Sequence, residues 1–387
     1  MCTKNRLDDQ RRSAPYAEMD HMRVLQVIDS LPLAGAEVLV KDVAPRLRNR
    51  GIDCEVAVLC SLSGPLESEL KAAGVPLHTT GVRKLYSLRQ VRPLAKLIRN
   101  YDIVHVHLFP AQLWAVLALK RLGERIPLVT TEHGTSNSRR RNWLRPFDAW
   151  MYPHYECIAC NSEATAEELI RWCPRIALKV RVVPNGIRLD VLETADPADL
   201  PRTAQNMVRL VFVGRFEPPK DHGTILRALS TVPNAQLLLV GDGRLRPQIE
   251  TLARSLGVAE RVIFLGRRND VPGILKASDI YVHSTTSDGF GIAVCEAMAA
   301  GLPVITSNVP GLAQVVEGAG ILFPTGDDHA LAHAIKTLIA SPDRRRQMSE
   351  ASRKRARCFS IEKTADGCVE MYESVLRQQA VKADDAQ

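Results

Sequence analysis

Short apolar runs alternate with amphipathic stretches along almost the whole chain. In the first half the pattern predicts strands at Val24–Ile28, Cys54–Leu59, Val75–His78, Ile103–His107, Leu128–Thr131, Cys157–Cys160 and Val180–Val183. Helical periodicity falls between them at Glu37–Arg50, Leu66–Ala73, Leu88–Arg99, Ala111–Leu122 and Ala164–Trp172. Strands alternating with helices in this way predict a parallel, doubly wound sheet.

The alternation stops between Leu189 and Met207, where Asp196-Pro197 and Leu200-Pro201 sit among polar residues without a sustained period. That stretch reads as a linker. The pattern restarts with strands at Leu210–Val213, Leu237–Val240, Val262–Phe264, Ile280–His283, Val304–Thr306 and Ile321–Phe323. The helices among and after them are Thr224–Leu229, Leu245–Leu256, Val271–Ala277, Ala293–Ala300, Ala330–Ile339, Arg344–Arg357 and Ile361–Leu376. The expected organisation is a disordered tail (1–21), a Rossmann-like domain (22–187), a linker (188–207) and a second Rossmann-like domain (208–357). A C-terminal helix (358–378) packing toward the first domain and a short tail (379–387) complete it. Two such domains leave a cleft, and ligands of doubly wound sheets bind beyond the carboxyl ends of the strands.

Composition narrows the class. Hydrophobic residues make up 45% and charged residues 24% of the 387, as in a soluble globular protein. Aromatics are only 5%, so Val, Leu, Ile and Ala must build the core, which suits parallel strands covered by helices. The segment Met1–Asp20 lacks the apolar core of a secretory signal, and no uninterrupted apolar run is long enough to span a bilayer. The nine cysteines follow no disulfide spacing, which suggests a reducing compartment. Cys157 and Cys160 lie in a predicted strand and read as small buried residues, since no second Cys/His pair matches their spacing.

Two loops carry chemistry. After strand Leu210–Val213 comes Gly214-Arg215-Phe216-Glu217-Pro218-Pro219-Lys220. A glycine brings the backbone close to a ligand, and Arg215 and Lys220 supply a fork and a point charge suited to a diphosphate. An ordinary solvated loop would look the same. After strand Ile280–His283 comes Ser287-Asp288-Gly289-Phe290-Gly291, which runs into a helix bearing Glu296. Amides at a helix start attract anions, and carboxylates accept hydrogen bonds from sugar hydroxyls. The plainer alternatives are an N-cap for Asp288 and a surface position for Glu296.

From Asp288-Gly289-Phe290-Gly291 to Glu296-Ala297-Met298-Ala299 the chain resembles the E-x7-E signature of retaining family 4 glycosyltransferases, which have the GT-B fold. Gly214-Arg215 with Lys220, Gly241-Asp242-Gly243, Pro184-Asn185-Gly186-Ile187, Gly301-Leu302-Pro303-Val304-Ile305 and Gly35-Ala36-Glu37 resemble further parts of that family, in the same order. The resemblance covers about residues 23–376. It implies that Arg215 and Lys220 hold the diphosphate of a UDP- or GDP-sugar and that Glu296 binds the ribose. Asp288 and the amides of Gly289, Phe290 and Gly291 would face the transferred sugar. His133, in Thr131-Glu132-His133-Gly134, resembles the family's cleft histidine, and its position just after a strand favours that over a loop histidine of no consequence. Gly35 and Ala36 would form the loop after the first strand, with Glu37 on the acceptor side. The family needs no bound metal and no other cofactor, and in its front-face mechanism the leaving phosphate helps deprotonate the acceptor.

Two departures stand out. Asp288 is one methylene shorter than the usual Glu, and Gln314 in Pro310-Gly311-Leu312-Ala313-Gln314 stands where the family often has Glu. They keep open a non-catalytic nucleotide-sugar-binding subunit beside the transferase, and a GT-B epimerase is a further alternative. His105 and His107 share one face of a strand without an acidic partner cluster, which favours a core or cleft-lining role over metal ligation.

The formal charge of +8 and pI of about 9.1 fit nucleic acid, anionic lipid or a phosphorylated substrate. No nucleic-acid module appears in the sequence. Arg83, Lys84, Arg89, Arg92, Lys96 and Arg99 crowd one region, and Arg139, Arg140, Arg141 and Arg145 flank Trp143 and Leu144. Such clusters suit an anionic membrane surface as well as solvated faces. On the membrane reading the acceptor is a glycan or lipid-linked acceptor in bacterial surface polysaccharide assembly. The enzyme would then be cytoplasmic, peripheral on the inner face of the cytoplasmic membrane.

Overall fold

The computed structural model describes residues 22–32, 35–60, 64–135, 140–201 and 207–384. The tail expected at 1–21, residues 385–387 of the one expected at 379–387, Arg139 and residues 202–206 of the linker lie outside the described residues, and 379–384 continue the last helix.

Thirteen described strands form two sheets. The first contains β1 (Arg23–Ile28), β2 (Asp53–Val58), β3 (Leu77–Thr79), β4 (Ile103–His107), β5 (Leu128–Glu132), β6 (Cys157–Cys160) and β7 (Val180–Val182), in the order β3-β2-β1-β4-β5-β6-β7. The second contains β8 (Val208–Val213), β9 (Ala235–Val240), β10 (Val262–Gly266), β11 (Ile280–His283), β12 (Val304–Ser307) and β13 (Gly320–Phe323), in the order β10-β9-β8-β11-β12-β13. All neighbours in the second sheet pair in parallel. In each sheet the strand order reverses beside the strand that comes first in sequence, between β1 and β4 and between β8 and β11. Those are the switch points where helices diverge to opposite faces and leave a crevice.

Burial follows the sequence pattern. Along β8 and β11, Leu210, Phe212, Ile280 and Val282 pack into one core layer, whereas Val211 and Tyr281 pack into the other. Alternate side chains therefore serve opposite faces, and both faces are covered. Each large side chain fully withdrawn from water contributes about 1.5–3 kcal/mol.

The compact division of the chain falls between Val129 and Thr130, inside β5. The stretch expected as a linker lies within the second unit and includes a helix, Leu189–Thr194, which the pattern did not predict. Six residues are too few to show a period. Leu192 and Leu200 nonetheless enter the second unit's core, and burial of Leu192 accounts for the helix.

The C-terminal helix runs Ile361–Asp384, past its expected end at Leu376. It is tied to the 183–187 segment of the same unit. Thr364 Oγ1 donates to Pro184 O at 2.9 Å, and Ile361 N donates to Ile187 O at 2.9 Å. At the N-terminal side of the chain, helix Gly35–Arg48 begins two residues earlier than expected. Gly35 and Ala36 are thus its first residues and not loop, with Glu37 supplying the acidic first turn that a helix dipole favours.

Among the described residues, no helix is long and apolar enough to cross a membrane. Cys157 and Cys160 are free and buried in β6.

Candidate active site at the β8–β11 switch point

Both chemistry-bearing loops of the second unit leave the carboxyl ends of the two strands at its switch point. The loop after β8 carries Arg215 and Lys220, and the loop after β11 carries Asp288. Backbone bonds sew them together. Asp221 N donates to Ser284 O at 3.0 Å and Thr286 N to Pro219 O at 3.0 Å, and Thr285 Oγ1 donates to Pro219 O at 3.1 Å.

This stitching delivers Lys220 to Asp288. Lys220 Nζ lies 2.5 Å from Asp288 Oδ2 and 2.9 Å from His283 Nε2. The Lys220 and Asp288 side chains are only 19% and 15% exposed, so the pair is weakly screened by water. Burial opposes ionisation of Asp288, but the His283 ring and the Lys220 ammonium outweigh it and hold the carboxyl well below the usual carboxylate range. His283 is 1% exposed, and burial, helped by the Lys220 charge, pushes its imidazole down to about 4. It is neutral at physiological pH.

Arg215 behaves differently. Its side chain is 76% exposed, and its guanidinium stands 4.0 Å from Glu217. Its five donors remain largely available at the loop surface.

The remainder of the Asp288 loop is shaped by contact with the loop after β5. Asp288 Oδ1 accepts from Phe290 N at 3.1 Å, so that amide, expected to face a sugar, is already taken. Nor is Asp288 an N-cap. Helix Ile292–Ala300 starts from Gly291, which has φ 79° and no side-chain cap. That left-handed backbone favours glycine. At Gly289 the constraint is proximity, since an added Cβ would stand 2.6 Å from Gly134 Cα and 3.1 Å from His133 O. Ser162 Oγ donates to Gly289 O at 2.6 Å, and Thr135 Oγ1 is 3.2 Å from Ser287 Oγ.

The backbone of His133 is therefore brought next to the Asp288 loop. Its carbonyl accepts from Asn161 Nδ2 at 2.9 Å, which fixes the loop. Burial lowers its imidazole to about 4, leaving the ring neutral. Glu296 is half-buried and is the one charged residue of a helix otherwise composed of Ile, Ala, Val, Cys and Met. After burial itself, its charge and that of Asp288 are what raise the Tyr281 phenol. Gln314 lies in a short helix, Pro310–Val315. That helix approaches closely, because an added Cβ at Gly311 would meet Asp288 O at 2.3 Å.

In the first unit, Gly35 is exposed while Ala36 and Glu37 are buried. Sequence reasoning missed Asp29, at the end of β1. Burial, opposed by its bond from Ala111 N at 2.9 Å and reinforced by Glu37, raises its carboxyl to about 7. His105 and His107 are buried on β4 with ring centroids 4.3 Å apart, and His107 Nε2 is 2.5 Å from Gln26 Oε1. Among the described residues, no three His, Cys, Asp or Glu side chains gather as metal ligands.

Sequence reasoning also missed Tyr281, His283 and Ser162. The signal for the first two is their period-2 spacing at the end of β11, immediately before the loop. Ser162 carries only the mark of a helix N-cap, accepting from Thr165 N.

Comparison with known proteins identifies the family. Residues 33–191 match the family described as Glycosyltransferase Family 4, and residues 202–355 match Glycosyl transferases group 1. The N-acetyl-alpha-D-glucosaminyl L-malate synthase of Bacillus anthracis is 30% identical over 294 residues, covering 72% of this chain and 76% of that protein. The UDP-Gal:alpha-D-GlcNAc-diphosphoundecaprenol alpha-1,3-galactosyltransferase of Escherichia coli is 26% identical over 347 residues, covering 82% and 88%. Among solved structures, HepE of Anabaena in complex with UDP and glucose superposes with a TM-score of 0.79 at 23% identity, over 92% of this chain and 100% of that one. With two parallel-sheet Rossmann-like domains and these relatives, the chain belongs to the family 4 glycosyltransferases of GT-B fold.

Proposed function

We propose that this glycosyltransferase moves a sugar from a nucleotide diphosphate sugar, UDP- or GDP-linked, to a glycan or lipid-linked acceptor with retention of anomeric configuration. One observation carries the reading. At the β8–β11 switch point a desolvated ammonium, Lys220, is held against a carboxylate, Asp288, with the exposed guanidinium of Arg215 on the same loop. A donor diphosphate gives Lys220 and Arg215 an anionic partner, and its sugar gives Asp288 hydroxyl donors. Glu296 then accepts from the ribose. The E. coli relative, named for UDP-Gal and a diphosphoundecaprenol-linked sugar, supports the same class of substrate.

In the reaction the acceptor oxygen forms a bond to the anomeric carbon on the face from which the diphosphate oxygen leaves. The acceptor proton passes to the departing diphosphate. Lys220 and Arg215 neutralise the charge that develops there, as a preorganised electrostatic site does, so no metal is required. His133, neutral and next to Gly289, offers a polar edge to the sugar without adding charge.

Location follows from surface chemistry. Trp143 is 72% exposed between Arg141 and Arg145 in the second unit. In the first unit, Tyr86 and Leu88 are each 72% exposed beside Arg89. Apolar rings among cations suit an anionic bilayer. We place the enzyme on the cytoplasmic face of the membrane, acting on a lipid-linked acceptor of surface polysaccharide synthesis.

The test is turnover of UDP- and GDP-sugars with and without polyprenyl-diphosphate-linked sugars. Acceptor-dependent release of nucleoside diphosphate, with a product whose anomeric coupling matches the donor, is expected. Interconversion of the donor sugar without an acceptor would make the chain an epimerase, and an inverted product would overturn retention.

A further inference from the structure

Beneath the Lys220–Asp288 pair lies a polar chain that the proposed chemistry does not use. Lys220 Nζ is 2.9 Å from His283 Nε2, His283 Nδ1 is 3.0 Å from the Tyr281 hydroxyl, and that hydroxyl is 3.4 Å from Val213 O. Nε2 also faces Asp288 Oδ2, but at 3.5 Å, too far for a good hydrogen bond, whereas Lys220 Nζ is at 2.9 Å; an ammonium donates and never accepts, so Nε2 is the acceptor. The ring proton then resides on Nδ1 and is donated to the Tyr281 oxygen, leaving the Tyr281 proton for the Val213 carbonyl. One tautomer satisfies every member.

The ring is also held in its plane. Phe212 stacks with it at 5.3 Å and 19°, and Tyr281 at 5.9 Å and 17°. A neutral, immobile acceptor thus faces an ammonium in a dry site. It can direct that ammonium without cancelling its charge, which a carboxylate in the same place would do.

We propose that His283 is a positioning residue. Through Nε2 it holds the Lys220 ammonium at the mouth of the β8 and β11 loops, so that a donor diphosphate can exchange with Asp288 as its anionic partner while Lys220 stays in place. This rests on the reading of Lys220 as a diphosphate contact. His283 itself is 1% exposed and touches no substrate.

Two measurements test it. The first uses the wild-type protein. In 15N-histidine NMR spectra near pH 7.5, with His283 assigned through His283→Gln, the ring should be neutral with its proton on Nδ1. A proton on Nε2, or an imidazolium, overturns the proposal. The second is UDP affinity in a double-mutant cycle. His283→Leu should weaken UDP binding about tenfold, and His283→Gln, whose Oε1 can accept at the place of Nε2, should restore most of it. In a Lys220→Ala background, His283→Leu should have no further effect. Equal weakening by Leu and Gln, or additivity with Lys220→Ala, shows that His283 only fills space. If Lys220→Ala itself leaves UDP affinity unchanged, the diphosphate reading fails instead, which separates the two. Should His283→Leu not fold, the tautomer and the Gln variant still decide.

Discussion

Lys220 Nζ and Asp288 Oδ2 stand 2.5 Å apart in the unliganded site, across 68 positions of sequence. On the proposed reading, the cation that would hold a phosphate is therefore already paired with the acid that would hold the sugar. The consequence is competition. Asp288→Asn removes the internal rival for Lys220 and a negative charge beside the diphosphate. It should raise UDP affinity several-fold by calorimetry while lowering the transfer rate, because the sugar loses its charged acceptor. Lower UDP affinity in this variant would contradict the exchange of partners.

Gly289 has no room for a side chain. Its Cβ would fall 2.6 Å from Gly134 Cα, within backbone that cannot swing aside as a flexible side chain does. Gly289→Ala should cost about 1–3 kcal/mol of stability as an overpacking change. It should also depress turnover by pushing the Asp288 and His133 loops apart. Urea denaturation and initial rates check both effects.

Three histidines buried in a neutral state make stability depend on pH, and the raised carboxyl of Asp29 offsets one of them across the same window. Folded-state values near 4 for His133, His222 and His283, which burial depresses first of all, lie below the unfolded value of about 6.5. Between those limits the unfolded chain binds more protons, so the stabilisation is complete above about pH 6.5 and is lost as pH falls toward 4. Each contributes a slope of about 1.4 kcal/mol per pH unit inside that window. Denaturant midpoints at pH 7.5, 6, 5 and 4.5 should fall steadily, and His283→Gln should flatten the curve. Asp288, whose carboxyl is depressed in the folded state, adds a loss only below its unfolded value of about 3.9.

Charge neutralisation by Lys220 and Arg215 predicts that chelators leave transfer intact. Dialysis against EDTA should change the rate less than twofold. Loss of activity that Mg2+ or Mn2+ restores would contradict the metal-independent reading.

The Trp143 surface predicts salt-sensitive binding to vesicles. Sedimentation with phosphatidylglycerol vesicles should fall on Trp143→Ala and again at high salt, since the attraction is screened over about 8–10 Å at physiological ionic strength. Equal binding to zwitterionic and anionic vesicles would contradict it.

Much of this site was legible in the chain. The placement of Arg215, Lys220 and Asp288 just after strands followed from alternation alone, because parallel strands buried on both faces read as apolar runs. His133 was legible for the same reason. What was not legible depends on long-range approach. The bond of Lys220 to His283 spans 63 positions, and that of Ser162 to Gly289 spans 127. Neither leaves a local pattern. The helix Leu189–Thr194 escaped because six residues do not complete two turns, and the start at Gly35 escaped because a glycine reads as loop. The occupied amide of Phe290 follows from the shorter Asp288 side chain folding back on its own loop, a turn that residue type allows but does not demand.

The most direct test of the central claim is calorimetric titration of UDP and GDP into the wild type, Lys220→Ala, Arg215→Ala and the double variant. Charge-assisted hydrogen bonds contribute about 1.5–3 kcal/mol each, so each single change should weaken the preferred nucleotide about 10- to 100-fold. The double variant should abolish measurable binding. Undiminished affinity in the double variant would mean that the β8 loop does not hold the donor diphosphate, and the proposed site would be wrong.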